Sequence, residues 1–152
     1  MNPAKGHRNL RIGRFSEAGR IYLVTTTTLN RTAVFLDFNV ARSAIKAFTS
    51  ERALKDATLI CWVLMPEHAH WLIQLGEDTL SKTVMRMKSL SARAVNQQRG
   101  ISEQLWQHAF HDHALRQEED LKETSRYIVA NPLRAGLVNT PGNYPFWDAI
   151  WL

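Results

Sequence analysis

Apolar and polar positions follow two rhythms along the chain, one near period two and one near period 3.6, and their succession predicts the architecture. Residues 21–29 (IYLVTTTTL) are β-branched and aromatic and read as a strand. Asp37 stands where a helix N-cap is needed, ahead of Val40, Ala41, Ala44, Ile45 and Phe48 at helical spacing. Residues 58–65 (TLICWVLM) are apolar on both faces, which predicts a central strand covered on both sides. Pro66 and Glu67 form a tight turn into residues 68–75 (HAHWLIQL), so these two strands should make a hairpin. Thr79 caps a long helix with Leu80, Val84, Met87, Leu90, Ser91 and Ala94 facing inward, and Gly100 closes it. Residues 110–116 (FHDHALR) are short enough for a strand. Residues 118–130 read as a helix that stops at Asn131–Pro132, because a residue before proline avoids the α region.

This order gives an α+β fold: a ferredoxin-like antiparallel sheet (β-α-β-β-α-β), both crossover helices on one face, with an additional C-terminal helix. The 152 residues suit one compact domain, residues 1–152, with residues 1–20 as an N-terminal arm. No apolar run approaches the roughly 20 residues of a membrane span, and the N-terminus has no apolar signal core. The single cysteine, Cys61, excludes an internal disulfide and fits a reducing compartment. A soluble cytoplasmic protein is expected.

Charge changes the picture. Lysine and arginine number 19 against 14 acids. Residues 1–20 hold Lys5, Arg8, Arg11, Arg14 and Arg20 against Glu17 alone, and residues 79–100 hold Lys82, Arg86, Lys88, Arg93 and Arg99 against no acid. Two basic segments on a nearly neutral body point to a polyanionic partner, most often nucleic acid.

The strand at residues 68–75 carries the candidate chemistry. Alternation sends Ala69, Trp71, Ile73 and Leu75 to one wholly apolar face, which belongs under the helices. His68, His70, Leu72 and Gln74 go to the opposite, open face. The two imidazoles are then roughly 7 Å apart at Cα and could bind one divalent cation with positions to spare; a pair of half-exposed sheet histidines without a ligand is the plainer reading. On the last helix, Tyr127 and Asn131 share a face at i and i+4 and could reach the same point. Asn131 could equally cap a short helix starting at Pro132, and Tyr127 could be a core aromatic.

Three blocks in order resemble a known family. Residues 65–72 (MPEHAHWL) resemble the MPNHxHLL block of the IS200-like, REP-associated tyrosine transposases, residues 110–121 (FHDHALRQEEDL) its FxDHxLRDExDL segment, and residues 127–138 (YIVANPLRAGLV) its YIxxNPxxxGLV block. Glu67 stands where Asn is usual, and Ala69, Trp71 and His111 are also departures. The resemblance implies an HUH nuclease in which His68, His70 and Asn131 hold Mg²⁺ or Mn²⁺ and Tyr127 attacks the phosphodiester. The product would be a 5′-phosphotyrosyl intermediate and a free 3′-OH, a link that conserves bond energy for rejoining. His113 and Glu67 are candidates for the base that assists the phenol.

The implied substrate is single-stranded or hairpin DNA of the repetitive extragenic palindromic (REP) type, in the bacterial cytoplasm at the nucleoid, with a monomer as the working unit. Arg8, Arg11 and Arg14 would read bases beside the hairpin, and Lys82, Arg86, Lys88 and Arg93 would contact phosphates. Trp106, Phe146 and Trp147 could stack unpaired bases. Three other readings compete: a hairpin-binding protein that does not cut, a replication initiator or relaxase, and an RNA-binding ferredoxin-like domain.

Overall fold

The computed structural model describes residues 18–116 and 119–150. Five strands form one antiparallel sheet: β1 (Ile21–Thr27), β2 (Thr58–Leu64), β3 (His68–Gln74), β4 (His111–Ala114) and β5 (Trp147–Ala149), in the order β4-β1-β3-β2-β5. The first four strands keep the expected ferredoxin-like order, and β5 extends the β2 edge. The helices are α1 (Phe38–Phe48), α2 (Glu51–Leu54), α3 (Leu80–Arg99), α4 (Glu119–Val129) and α5 (Asn131–Arg134).

Local signals act where the sequence places them. The Asp37 carboxylate accepts from the N–H groups of Asn39 and Val40 at the start of α1, and the Thr79 hydroxyl accepts from Lys82 N–H at the start of α3. Gly100 ends α3 in the left-handed region at φ 68°, where a side chain would be strained. Met65 N–H donates to His68 C=O across the β2–β3 turn.

The sheet separates two apolar layers. On one face, Ala69, Trp71, Ile73 and Leu75 pack with Tyr22 and Val24 of β1 against α1 and α3. Trp71 is the centre of this layer, its ring 5.2 Å from Phe48 and 6.0 Å from Trp106. On the other face, Leu72, Cys61 and Val63 pack against Leu121, Ile128 and Val129 of α4. A bulge between Leu59 and Cys61 in β2 turns Ile60 to the α4 side beside Cys61, so this strand feeds both layers.

Several expectations are corrected. The face carrying His68 and His70 is not open, because α4 covers its Leu72 end. β1 stops at Thr27; Thr28 makes an isolated bridge to Trp106 and the chain turns into a short 3₁₀ segment. The inward stripe of α3 runs through Thr83 and Val95 rather than Ala94, which is half-buried. Asn131 does not lie outside a helix but opens α5. The helical path resumes after a break because Pro132 lacks the N–H that would continue α4, while Arg134 N–H still reaches Ala130 C=O. The short elements α2, α5 and β5 carry too few residues for a periodic signal.

Candidate active site

The polar notch lies where the α4-side face runs out of apolar residues. Along β3 the row at Leu72 is flanked by Leu23 and Cys61, and the row at His70 by Thr25 and Val63, while His68 faces Thr27. Both imidazoles are half-buried, with ring centres 4.9 Å apart and planes at 80°.

Each ring has its Nδ1 occupied. Glu67 Oε1 lies 2.6 Å from His68 Nδ1, and Thr25 Oγ1 lies 2.8 Å from His70 Nδ1. With each Nδ1–H donating to its oxygen, the lone pair is left on Nε2, the arrangement that outer partners impose on metal-binding histidines. Burial, then the neighbouring His68 and Arg134 charges, lower the His70 pKa from 6.5 to about 4, so this imidazole is neutral at physiological pH.

Asn131 reaches the same notch. Its Nδ2 lies 3.5 Å from His68 Nε2, and turning the amide over brings Oδ1 to that place. The side chain makes no capping bond at the start of α5, whose N-cap residue is Ala130, so the capping alternative is not realised. Among the described residues no cluster of three or more His, Cys, Asp or Glu side chains is grouped for a metal. Two imidazoles and an amide are therefore the donor set that fits a divalent cation here.

Of the three tyrosines, Tyr22 is buried in the α1/α3 layer and Tyr144 donates its hydroxyl to Leu64 C=O at 2.6 Å. Burial, with the Glu67 charge, pushes the Tyr144 phenol up to about 12. Tyr127 differs: it is 56% exposed at the end of α4, and Arg134 Cζ lies 3.8 Å from its ring centre. The core-aromatic reading of Tyr127 is thus excluded by its exposure.

The basic residues divide. Arg86 donates to Ala53 C=O at 2.9 Å and pairs with Asp78 at 2.8 Å, and Lys88 donates to the carbonyls of Gln107 and His108. Both brace the protein's own backbone. Lys82 and Arg93 are exposed on α3, on the far side of the sheet from the imidazoles. Arg8, Arg11 and Arg14 lie outside the described residues. Trp106 and Phe146 are buried in the core rather than available to bases, and Trp147 donates its N–H to Pro141 C=O at 2.8 Å.

Sequence reading missed Thr25 and Arg134. Thr25 is brought to His70 by the β1–β3 register, which no local pattern reveals. Arg134 had a readable signal: positions 127, 131 and 134 follow the i, i+4, i+7 stripe of a helix.

Comparison with known proteins bears on the same residues. The family described as "Transposase IS200 like" matches residues 19–131, a span that contains His68, His70, Tyr127 and Asn131. A REP-associated tyrosine transposase of Escherichia coli (strain K12) is 28% identical over 137 residues, covering 88% of this chain and 78% of the relative. A solved structure of a REP-associated tyrosine transposase bound to a REP hairpin superposes with TM-score 0.69 at 27% identity, covering 88% of this chain and 79% of that one. A crystal structure from Deinococcus radiodurans shares the fold at TM-score 0.55 and 18% identity, over 74% of this chain and 91% of that chain. The chain belongs to the IS200-like transposase family, whose members are DNA-cleaving and joining enzymes.

Proposed function

We propose that this chain cuts and rejoins single-stranded or hairpin DNA of the REP type through a covalent link to Tyr127, with a divalent cation held by His68, His70 and Asn131. The observation that carries the reading is the meeting of three things on one side of the sheet. Two imidazoles have their Nδ1 atoms occupied, the amide of Asn131 lies 3.5 Å from His68 Nε2, and an exposed phenol stands four residues before that amide. The hairpin bound by the relative of known structure supports the substrate class.

Bound Mg²⁺ or Mn²⁺ would supply Lewis-acid polarisation of a phosphoryl oxygen. The protein's own groups do the rest. Glu67 and Thr25 fix the imidazole tautomers and ring orientations. Glu67, bonded to His68, serves orientation rather than acting as the base. Tyr127 Oη attacks phosphorus as its proton passes to solvent, the P–O3′ bond breaks, and the departing oxygen takes a proton from solvent to become a 3′-OH. The phosphotyrosyl bond keeps the free energy of the original linkage, so a second 3′-OH can reverse the step without ATP. Lys82 and Arg93, together with Arg8, Arg11 and Arg14 of the arm, supply salt-dependent attraction to the DNA backbone and base-adjacent contacts. We assign the working unit as a monomer, acting at the nucleoid in the bacterial cytoplasm.

The test is a labelled hairpin oligonucleotide incubated with protein and Mn²⁺ and run on a denaturing gel. A covalent band should form, disappear with Tyr127→Phe and with EDTA, and persist with Tyr144→Phe. A band that survives Tyr127→Phe contradicts the assignment. Tight binding with no band on any cognate hairpin would favour a binding protein that does not cut.

A further inference from the structure

We propose that Arg134 contacts the reacting phosphodiester and holds the ring of Tyr127 for attack, a role that rests on the reading of Tyr127 as nucleophile. Three observations converge on this residue. Its guanidinium carbon lies 3.8 Å from the Tyr127 ring centre, well inside the ~6 Å reach of a cation over an aromatic face. It also lies on the same short helix as Asn131, whose amide is 3.5 Å from His68 Nε2. One short helix therefore carries both the cation over the phenol and the amide beside the imidazole pair. Third, Arg134 is exposed, and no carboxylate among the described residues is paired with it.

The backbone holds this cation in place. Arg134 ends α5, its N–H bonded to Ala130 C=O at 2.9 Å, and Pro132 of the same turn is buried. With its central carbon over the ring centre, the planar guanidinium spreads its N–H donors outward from that point. Donors so placed project past the edge of the phenol, where an incoming phosphodiester must lie. Negative charge builds on the nonbridging oxygens as Tyr127 Oη bonds to phosphorus and O3′ departs. Fixed donors at that place stabilise the transition state more than the ground state. Arg134 stays protonated throughout and exchanges no proton. A lysine there keeps the charge but loses the planar group and its forked donors.

The experiment uses the full chain, a hairpin oligonucleotide and Mn²⁺, and reads two quantities separately: the single-turnover rate of covalent adduct formation, and DNA affinity by fluorescence anisotropy. Each is measured on the native linkage and on an oligonucleotide with a neutral methylphosphonate at the linkage that the wild type cleaves. Arg134→Ala should slow adduct formation about 10²- to 10³-fold on the native linkage, with affinity changed less than about threefold. On the methylphosphonate the same substitution should cost less than about tenfold, because the charge that Arg134 meets is gone. Arg134→Lys should recover part of the rate on the native linkage. An equal loss on both linkages, or a wild-type rate in a folded Arg134→Ala protein, overturns the proposal. Should Arg134→Ala fail to fold, Arg134→Lys and Arg134→Gln on the two linkages decide by the same comparison. Tyr127→Phe separates the two ideas. If it abolishes the adduct while Arg134→Ala does not slow it, only the Arg134 role fails. An adduct that survives Tyr127→Phe removes both.

Discussion

Trp71 and His70 are neighbours in β3, and the sheet sends them into unlike surroundings. Trp71 enters the layer under α1 and α3, fully buried among Phe48, Trp106 and other large side chains. His70 enters the layer under α4, which is smaller, and stands half-buried at its polar end with Thr25 on its Nδ1. The first layer supplies stability through area removed from water. The second gives up part of its apolar cover, and there two imidazoles and an amide share one notch, with the exposed phenol at the end of α4. On the function proposed above, stability and chemistry fall on opposite sides of one sheet, and substitutions on the two sides should fail in different ways.

The largest effect should come from the apolar side. Trp71→Ala removes the centre of the α1/α3 layer and should cost about 3–5 kcal/mol of unfolding free energy, read by urea titration. That is a large share of the about 5–15 kcal/mol available to a domain. The paired substitution His70→Ala should leave the protein folded with an urea midpoint close to wild type while Mn²⁺ binding is lost. If His70→Ala unfolds the chain as fully as Trp71→Ala does, the division between faces is wrong.

A smaller effect is expected one shell out from the imidazoles. Glu67→Gln keeps the size of the side chain but weakens the acceptor on His68 Nδ1, and Mn²⁺ affinity by titration calorimetry should fall about 10- to 100-fold. Nitrogen NMR of His68 gives a readout independent of activity: the proton should sit on Nδ1 in the wild type and redistribute toward Nε2 in Glu67→Ala. An unchanged tautomer in that variant would leave Glu67 without an orienting role.

The smallest effect is in the pH dependence of the metal-free protein. The folded His70 pKa is near 4 against 6.5 for an ordinary imidazole. As pH falls below about 6.5 the unfolded chain takes up a proton at this residue while the folded protein resists it. Stability is therefore lost at His70 between pH 6.5 and about 4, and not above that window. His70→Gln should flatten the fall in unfolding free energy across the window by on the order of 1–2 kcal/mol. A slope identical to wild type would mean that the imidazole is hydrated in the folded state.

What the sequence discloses follows from the range of each interaction. Alternation in HAHWLIQL was enough to assign the faces of β3, and the caps at Asp37, Thr79 and Gly100 were readable because capping is local. The covering of the second face by α4 was not, since it depends on where a helix distant in sequence docks. The Thr25–His70 bond likewise needs the β1–β3 register, a contact between residues 45 apart. The internal bonds of Arg86 and Lys88 were not legible either, because charge on a helix looks alike whether or not it braces the loops at Ala53 and Gln107. Helical spacing puts Tyr127 and Asn131 on one stripe, and Arg134, one turn further along it, was open to the same reasoning.

Crystals grown with Mn²⁺, with the ion located by its anomalous scattering, give the most direct measurement of whether the α4 side of the sheet is the reactive side. The ion should be found in the notch, bonded to the Nε2 atoms of both His68 and His70 with Asn131 turned to offer its oxygen. An ion bound elsewhere, or imidazoles that keep their Nε2 atoms protonated with no ion between them, would contradict the assignment.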